Sequence, residues 1–135
     1  MCRSYYRGSD AIVFVYDATN RESLNNINFW TNELAAACQL DGMPWNTCFT
    51  QTTQCALVGN KADLVEDRRS AQEEGMMMAD RLRIDHFLTS ALDGENIDAM
   101  FSSLAQALWI NWETGQGRVK RLHTSRVSQV RMMKM

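Results

Sequence analysis

Short, continuous apolar runs alternate along the chain with longer segments whose apolar residues recur every three or four positions. The first run, residues 10–17, is aromatic and β-branched with polar ends, which is typical of a strand buried on both faces of a parallel sheet. Residues 55–59 and 84–89 form similar, shorter runs. The pattern therefore predicts three strands separated by intervals long enough to hold helices.

A helix is predicted after each of these strands. Capping-box spacings precede the first two helices, from Thr19 to Glu22 and from Ser70 to Glu73, and Asn96 precedes the third. The first helix is predicted to be about 18 residues long. The inward stripes are Leu24, Ile27, Trp30, Leu34 and Ala37, then Ala71, Gly75, Met78 and Leu82, and finally Ile97, Phe101, Leu104 and Leu108.

Strands that alternate with helices in this way predict an α/β fold with a parallel sheet and right-handed crossovers. Ligands in such sheets bind outside the carboxyl ends of the strands. Residues 60–63 and 89–91 directly follow the second and third predicted strands. We therefore expect these two polar segments to meet at one edge of the sheet.

The composition fits one globular domain, because 135 residues that are 45% hydrophobic and 22% charged suffice for one core. The cysteines at positions 2, 38, 48 and 55 form no C-x-x-C pair, and no signal peptide or bilayer-length apolar run is present. These features predict a reduced, cytoplasmic protein. Trp30, Trp109 and Trp112 are interpreted as anchors of helices on the sheet.

Positive charge is concentrated near the C-terminus. Residues 115–135 carry six basic residues and no acid, whereas the whole chain has a net charge of −2. Such a segment could contact anionic lipid or an acidic partner, but the favoured interpretation is a solvated terminus. The predicted division is a domain over residues 1–112 and a basic, disordered tail over residues 113–135. No cysteine follows Cys55, so the sequence offers no prenylation site.

The segment GNKAD (residues 59–63), with TSA (residues 89–91) further along the chain, carries the most specific chemistry. The carboxylate of Asp63 can accept two hydrogen bonds from the N1–H and N2–H₂ edge of guanine, whereas adenine offers no such pair of donors. A buried acid without donors would therefore reject adenine. The two segments indicate the guanine-recognising half of a GTP-binding site.

The phosphate-binding half of such a site has no counterpart in these 135 residues, because the pattern G-x-x-x-x-G-K-[ST] does not occur. His86 and His123 have no Ser, Cys or Asp spaced as a catalytic triad. Asp17 at a strand end is compatible with a phospho-accepting receiver domain, but that interpretation lacks the other groups of such a site. No catalytic residue and no metal ligand are assigned.

Two further segments identify a family. YYRGS (residues 5–9) followed by AIVFVYDAT (residues 11–19) closely resembles the corresponding segments of Rab proteins in the Ras superfamily of small GTPases. The resemblance covers residues 4–110 and implies the C-terminal part of a P-loop NTPase fold, with three parallel strands alternating with three helices. Tyr5 and Tyr6 are interpreted equally well as partner-facing or as core-filling residues.

The resemblance implies a role for each residue of the two segments. Asp63 would bind guanine N1 and N2, and Lys61 would lay its aliphatic stem along the base. Asn60 would connect neighbouring loops. Ser90 would orient Asp63, and the Ala91 N–H would donate to guanine O6.

Three features depart from the family pattern. The chain lacks the phosphate loop and the switch segments, so its own cofactor contacts would be limited to the guanine of GTP or GDP, with Mg²⁺ expected only in a longer form. Leu92 stands where the family usually has Lys, which is expected to weaken guanine selectivity without abolishing it. The loop at residues 39–54 is about ten residues longer than the family would suggest.

The leading hypothesis is a Rab-like, GTP-binding switch that recruits effectors in vesicle trafficking and binds no nucleic acid, located in the cytoplasm and on endomembrane surfaces. The family's strand order would leave the first predicted strand at an open edge of the sheet, where apolar strands pair or aggregate. The alternative is therefore a non-hydrolysing, GTPase-derived module that binds a regulator or effector on its remaining surfaces.

Overall fold

The computed structural model describes residues 9–37, 53–114 and 130–134. Four strands and four helices are present in these ranges. In chain order they are β1 (Ala11–Asp17), α1 (Arg21–Asn25), α2 (Ile27–Ala37), β2 (Gln54–Asn60), a 3₁₀ turn (Ala62–Leu64), α3 (Arg68–Leu82), β3 (Asp85–Leu88), α4 (Ile97–Glu113) and β4 (Val130–Lys134).

The four strands form one parallel sheet in the order β3-β2-β1-β4. Val13 lies opposite Ala56 in the β1–β2 pair, and Val58 lies opposite Phe87 in the β2–β3 pair. The first three strands alternate with helices as the apolar pattern predicts. The predicted small-GTPase type of α/β fold is confirmed.

Helices cover both faces of β1, and this explains why its sequence is apolar without alternation. Ile12, Phe14 and Tyr16 belong to one buried cluster with residues of α1, α2 and α3, whereas Val13 and Val15 belong to a second cluster beneath α4. Burial of a large apolar side chain contributes about 1.5–3 kcal/mol. The core therefore consists of two layers that share β1 and β2 as their common wall.

The first helix starts one residue later than its capping-box spacing suggests. Asn20 is the N-cap, and its side chain accepts hydrogen bonds from the N–H groups of Glu22 and Ser23. The Thr19 N–H and hydroxyl instead donate to Asp17 Oδ1. The predicted continuous helix is divided into α1 and α2 at Asn26.

The second predicted helix begins earlier than expected. Asp67 is the N-cap of α3 and accepts a hydrogen bond of 3.1 Å from the Ser70 N–H. Gly75, Met78 and Leu82 of the predicted stripe are buried, as expected. The capping box at Ser70 is therefore the wrong start signal, whereas the stripe is confirmed except at Ala71, which is half-buried.

The packing of α4 differs from the predicted stripe. Met100 and Leu104 are its buried residues, whereas Phe101 is exposed. Trp109 and Trp112 are 58% and 39% exposed, so their prediction as anchors is wrong, although Trp30 does pack against the core. The side of α4 that faces the sheet carries Met100 and Leu104, which pack against β1 and β2.

The C-terminal residues differ most from expectation. Val130–Lys134 form β4, which pairs in parallel with β1 from Ala11↔Val130 to Val15↔Lys134. For these five residues the predicted disorder is wrong, and so is the predicted open edge of β1. Tyr5, Tyr6, His123 and most of the 39–54 loop lie outside the described residues, where their predictions stay untested.

A polar pair lies inside the layer between β1 and α3. The Tyr16 hydroxyl and His86 Nε2 share a hydrogen bond of 2.9 Å. Two glycines make room for the pair: a Cβ on Gly59 would lie 2.6 Å from the Tyr16 hydroxyl, and a Cβ on Gly75 would lie 2.2 Å from His86 Nε2. Glycine is required at both positions by this close approach.

We expect Gly75→Ala to destabilise the protein, although alanine is favoured over glycine by about 1 kcal/mol in an open helix. The new Cβ would overlap His86 Nε2 and the Tyr16 hydroxyl, and overpacking of this kind costs about 1–3 kcal/mol. Urea denaturation of Gly75→Ala, His86→Ala and the double variant measures the coupling. His86→Ala should remove part of the penalty, because the overlap with the Tyr16 hydroxyl remains. A Gly75→Ala protein that is more stable than wild type would contradict the packing argument.

We also expect His86 to make stability depend on pH. Burial lowers the pKa of His86 to about 4 from its ordinary value of 6.5. Between these values the unfolded chain binds a proton that the folded chain does not, so stability should fall as the pH falls from about 6.5 to 4. The loss should reach about 2 kcal/mol, allowing for partial solvent access. In His86→Gln the free energy of unfolding should depend less steeply on pH across this range than it does in wild type. Identical pH dependences in the two proteins would refute this expectation.

Candidate functional site

Backbone hydrogen bonds bring the ends of β2 and β3 together at the carboxyl edge of the sheet. The Thr89 N–H donates to the Gly59 carbonyl at 2.8 Å, and the Ala62 N–H donates to the Thr89 carbonyl at 2.9 Å. Thr89 is fully buried beneath this connection. The segments 59–63 and 89–91 therefore lie side by side, as their positions after parallel strands predict.

Asp63 is held in place by Ser90. The Ser90 hydroxyl donates to Asp63 Oδ1 at 2.6 Å, and Ser90 is itself fully buried. Asp63 lies in the exposed 3₁₀ turn, and its Oδ2 has no hydrogen-bond donor among the described residues. A carboxylate with two oxygens offers about four acceptor positions. Asp63 is therefore oriented by one contact and retains capacity to accept hydrogen bonds from a ligand.

Asn60 connects the two loops. Its Oδ1 accepts a hydrogen bond of 3.0 Å from the Ala91 N–H. This is a contact between neighbouring loops of the kind that the family resemblance implies for Asn60. The same contact occupies the Ala91 N–H, which the resemblance assigns to guanine O6. A ligand carbonyl would therefore have to share this N–H with Asn60 or displace the Asn60 side chain.

Lys61 is fixed by an acid that the sequence interpretation did not include in the site. Lys61 has a left-handed backbone conformation, with φ of 69°. Its Nζ lies 2.6 Å from Asp17 Oδ2, while the Thr19 N–H and hydroxyl donate to Asp17 Oδ1 at 2.9 and 2.6 Å. Asp17 and Thr19 therefore determine where the Lys61 ammonium lies.

The charge of Asp17 is stabilised by these same contacts. Burial favours a higher pKa for Asp17, but the hydrogen bonds from Lys61 and Thr19 and the positive charge of Lys61 outweigh it and hold the pKa below its ordinary value. A signal for this pair existed in the sequence, because Asp17 ends one parallel strand and Lys61 directly follows the next. The register of the two strands, in which Asp17 lies opposite Asn60, brings them into contact.

Leu92 lies at the outer side of the loop that follows Ala91. Its side chain is 84% exposed, and the turn beneath it is closed by the Gly94 N–H, which donates to the Ser90 carbonyl at 2.9 Å. Gly94 has a φ of 85°, which favours glycine. The departure at Leu92 therefore changes the chemistry of an exposed position and leaves the turn geometry intact.

The site combines a carboxylate oxygen without a donor among the described residues, a lysine stem, and a backbone N–H that Asn60 engages, all at one edge of the sheet. Such groups suit recognition of a planar, polar base. His86 forms a hydrogen bond with Tyr16 in the core and is not assigned to this site. Within residues 9–37, 53–114 and 130–134, no group of three or more His, Cys, Asp or Glu side chains could hold a metal ion. The helices of that part of the chain are all too short or too polar to cross a bilayer.

Comparison with known proteins identifies the family. A sequence model of the Ras family matches residues 1–109. The chain is 37% identical to Ras-related protein RIC1 of Oryza sativa over 102 residues, which cover 76% of this chain and 45% of the relative. It is 34% identical to Ras-related protein Rab-4 of Dictyostelium discoideum over 127 residues, covering 88% and 53%.

A third relative, GTP-binding protein YPT1 of Saccharomyces cerevisiae, is 34% identical over 105 residues, covering 78% of this chain and 46% of the relative. The chain thus spans about half the length of the curated relatives that it matches. The alternative interpretation as a GTPase-derived interaction module gains no support from these matches. The chain belongs to the Ras family and is a Rab-like member of the small-GTPase superfamily.

Proposed function

We propose that the loops after β2 and β3 bind the guanine of GDP or GTP, and that the chain contributes this recognition to a nucleotide-controlled switch in vesicle trafficking. The observation that carries the proposal is the Asp63 carboxylate, which Ser90 orients at 2.6 Å while its second oxygen stays available. Membership of the Ras family supports the nucleotide class.

Selectivity for guanine would arise because the site requires both hydrogen-bond donors and an acceptor on one edge of the base. Asp63 accepts hydrogen bonds from N1–H and N2–H₂, which adenine cannot supply, and the Ala91 N–H donates to O6, which adenine replaces with an amino group. The Asn60 side chain would turn or share its bond with Ala91 to admit O6. Lys61, anchored by Asp17, would cover one face of the base with its methylene groups.

The remaining parts of the proposed function are inferred from membership of the family. Phosphate contacts, Mg²⁺ coordination and hydrolysis are assigned to none of the 135 residues, which contain no G-x-x-x-x-G-K-[ST] segment. Binding of effectors and regulators, and a cytoplasmic location with contacts to endomembranes, complete the proposal. Support for these comes from the Rab-type names of the relatives.

Asp63→Asn should abolish most of the preference for guanine. The substitution replaces one acceptor oxygen with a donor amide, which would face the donors of guanine, and loss of such charge-assisted bonds corresponds to about a 10- to 100-fold loss of affinity. Competition of GDP and ADP for a fluorescent guanine nucleotide measures the preference. Asp98→Asn, the same change at an exposed position of α4, is the matched control. An unchanged GDP-to-ADP ratio in Asp63→Asn would exclude the proposed contact.

Ser90→Ala should weaken GDP binding less than the Asp63 substitution does, by about 3- to 10-fold, because it removes only the group that orients Asp63. The preference for GDP over ADP should persist, since the carboxylate remains. The same competition assay tests this, with Ser102→Ala at an exposed position of α4 as the control. Equal losses in the two serine variants would show that Ser90 has no specific role.

A further inference from the structure

The hydroxyl of Thr89 is a buried polar group that no contact of the candidate site uses. Thr89 is fully buried, and its Oγ1 has no hydrogen-bond partner among the residues that the structure describes. The backbone N–H and carbonyl of Thr89 are both paired, with Gly59 and Ala62. A buried hydroxyl without a partner lowers stability, because it has lost its hydrogen bonds to water. An orphaned group of this kind points to a contact that forms when neighbouring side chains rearrange.

Strand register places the side chain of Asn60 beside this hydroxyl. Gly59 lies opposite Leu88 in the parallel β2–β3 pair, and the Thr89 N–H continues the pairing by donating to the Gly59 carbonyl. The next residues, Asn60 and Thr89, are therefore cross-strand neighbours whose side chains leave the same face of the sheet. Neighbouring strands are about 4.8 Å apart, a gap that the side-chain amide of Asn60 can span.

In the structure the amide of Asn60 has a different partner. Its Oδ1 accepts a hydrogen bond of 3.0 Å from the Ala91 N–H, the group to which the proposed function assigns guanine O6. A backbone N–H is a single donor, so O6 and Asn60 compete for it. An Asn60 side chain that O6 displaces needs a new partner, and the Thr89 hydroxyl is an unused acceptor next to it.

We propose that Thr89 is a positioning residue for guanine recognition, whose hydroxyl accepts a hydrogen bond from the Asn60 amide when guanine O6 takes the Ala91 N–H. One hydrogen bond is thereby exchanged for two, because O6 accepts from Ala91 and Thr89 accepts from Asn60. The buried hydroxyl therefore opposes stability before guanine binds and favours the bound form afterwards. This inference rests on the proposed contact between Ala91 and guanine, and it adds Thr89 to the residues that determine affinity.

Thr89→Val in the full chain tests this exchange of partners, because valine has the shape of threonine without its hydroxyl. Removal of an unpaired buried hydroxyl should raise the urea midpoint of the GDP-free protein. The same variant should bind GDP about 3- to 10-fold more weakly in the competition assay, since the displaced Asn60 amide finds no acceptor. Thr89→Ser keeps the hydroxyl and should therefore keep the GDP affinity of wild type. A residue with only a structural role would not combine a gain in stability with a loss of affinity.

Thr31→Val is the matched control. Thr31 is a buried threonine of α2 whose hydroxyl already has a partner, because it donates to the Asn28 carbonyl at 3.0 Å. Its replacement should not raise the urea midpoint and should leave GDP affinity unchanged. A lower urea midpoint in Thr89→Val would show that the Thr89 hydroxyl is satisfied in the folded protein, and this result would overturn the proposal.

A double-variant cycle shows whether the Thr89 hydroxyl acts through Asn60. In the Asn60→Ala background, Thr89→Val should leave GDP affinity unchanged, because the donor that would use the hydroxyl is gone. An equal loss of affinity in the two backgrounds would assign the effect to packing and overturn the proposal, as would wild-type GDP affinity in Thr89→Val alone. Failure of the wild-type chain to bind GDP would instead overturn the proposed function, and the exchange of partners with it.

Discussion

β1 must bury side chains on both of its faces and pair its backbone along both of its edges. Helices α1, α2 and α3 cover one face and α4 covers the other, while β2 and β4 supply the two rows of hydrogen bonds. The positions of the two loops of the candidate site follow from β1, because β2 aligns on it and β3 aligns on β2.

The candidate site is preorganised by short polar contacts between the elements that this alignment brings together. Ser90 holds Asp63, Asn60 holds the Ala91 N–H, and Asp17 holds Lys61. Each contact joins residues from two different loops, so none could form before the sheet does. Preorganised groups bind a ligand with less loss of conformational freedom. A base would therefore meet an acceptor and a lysine stem that are already in position.

The core beneath the site depends on small residues as much as on large ones. Gly59 lies one residue before Asn60 and admits the Tyr16 hydroxyl, which bonds to His86 on β3. Burial, together with the negative charge of Glu74, raises the pKa of Tyr16 to about 12, so the hydroxyl keeps its proton. The Tyr16–His86 pair thus connects β1, β3 and α3 a short distance from the segment that would bind guanine.

The sequence by itself determined the three parallel strands, the order of the helices and the convergence of residues 60–63 with residues 89–91. Continuous apolar runs and helical periodicity are local properties, and parallel strands place their carboxyl ends at one edge. The caps at Asn20 and Asp67 and the division of the first helix at Asn26 were less predictable, because several polar residues near each helix start compete for the same N–H groups.

The tertiary structure alone decided three other features. Trp109 and Trp112 are exposed because α4 packs on the sheet through Met100 and Leu104, and apolar periodicity alone did not indicate which face of the helix would do so. Asp17 contacts Lys61 because of strand register, which is a property of two segments together. Residues 130–134 pair with β1 because the edge of that strand requires hydrogen-bond partners, and a local pattern cannot reveal which distant segment supplies them.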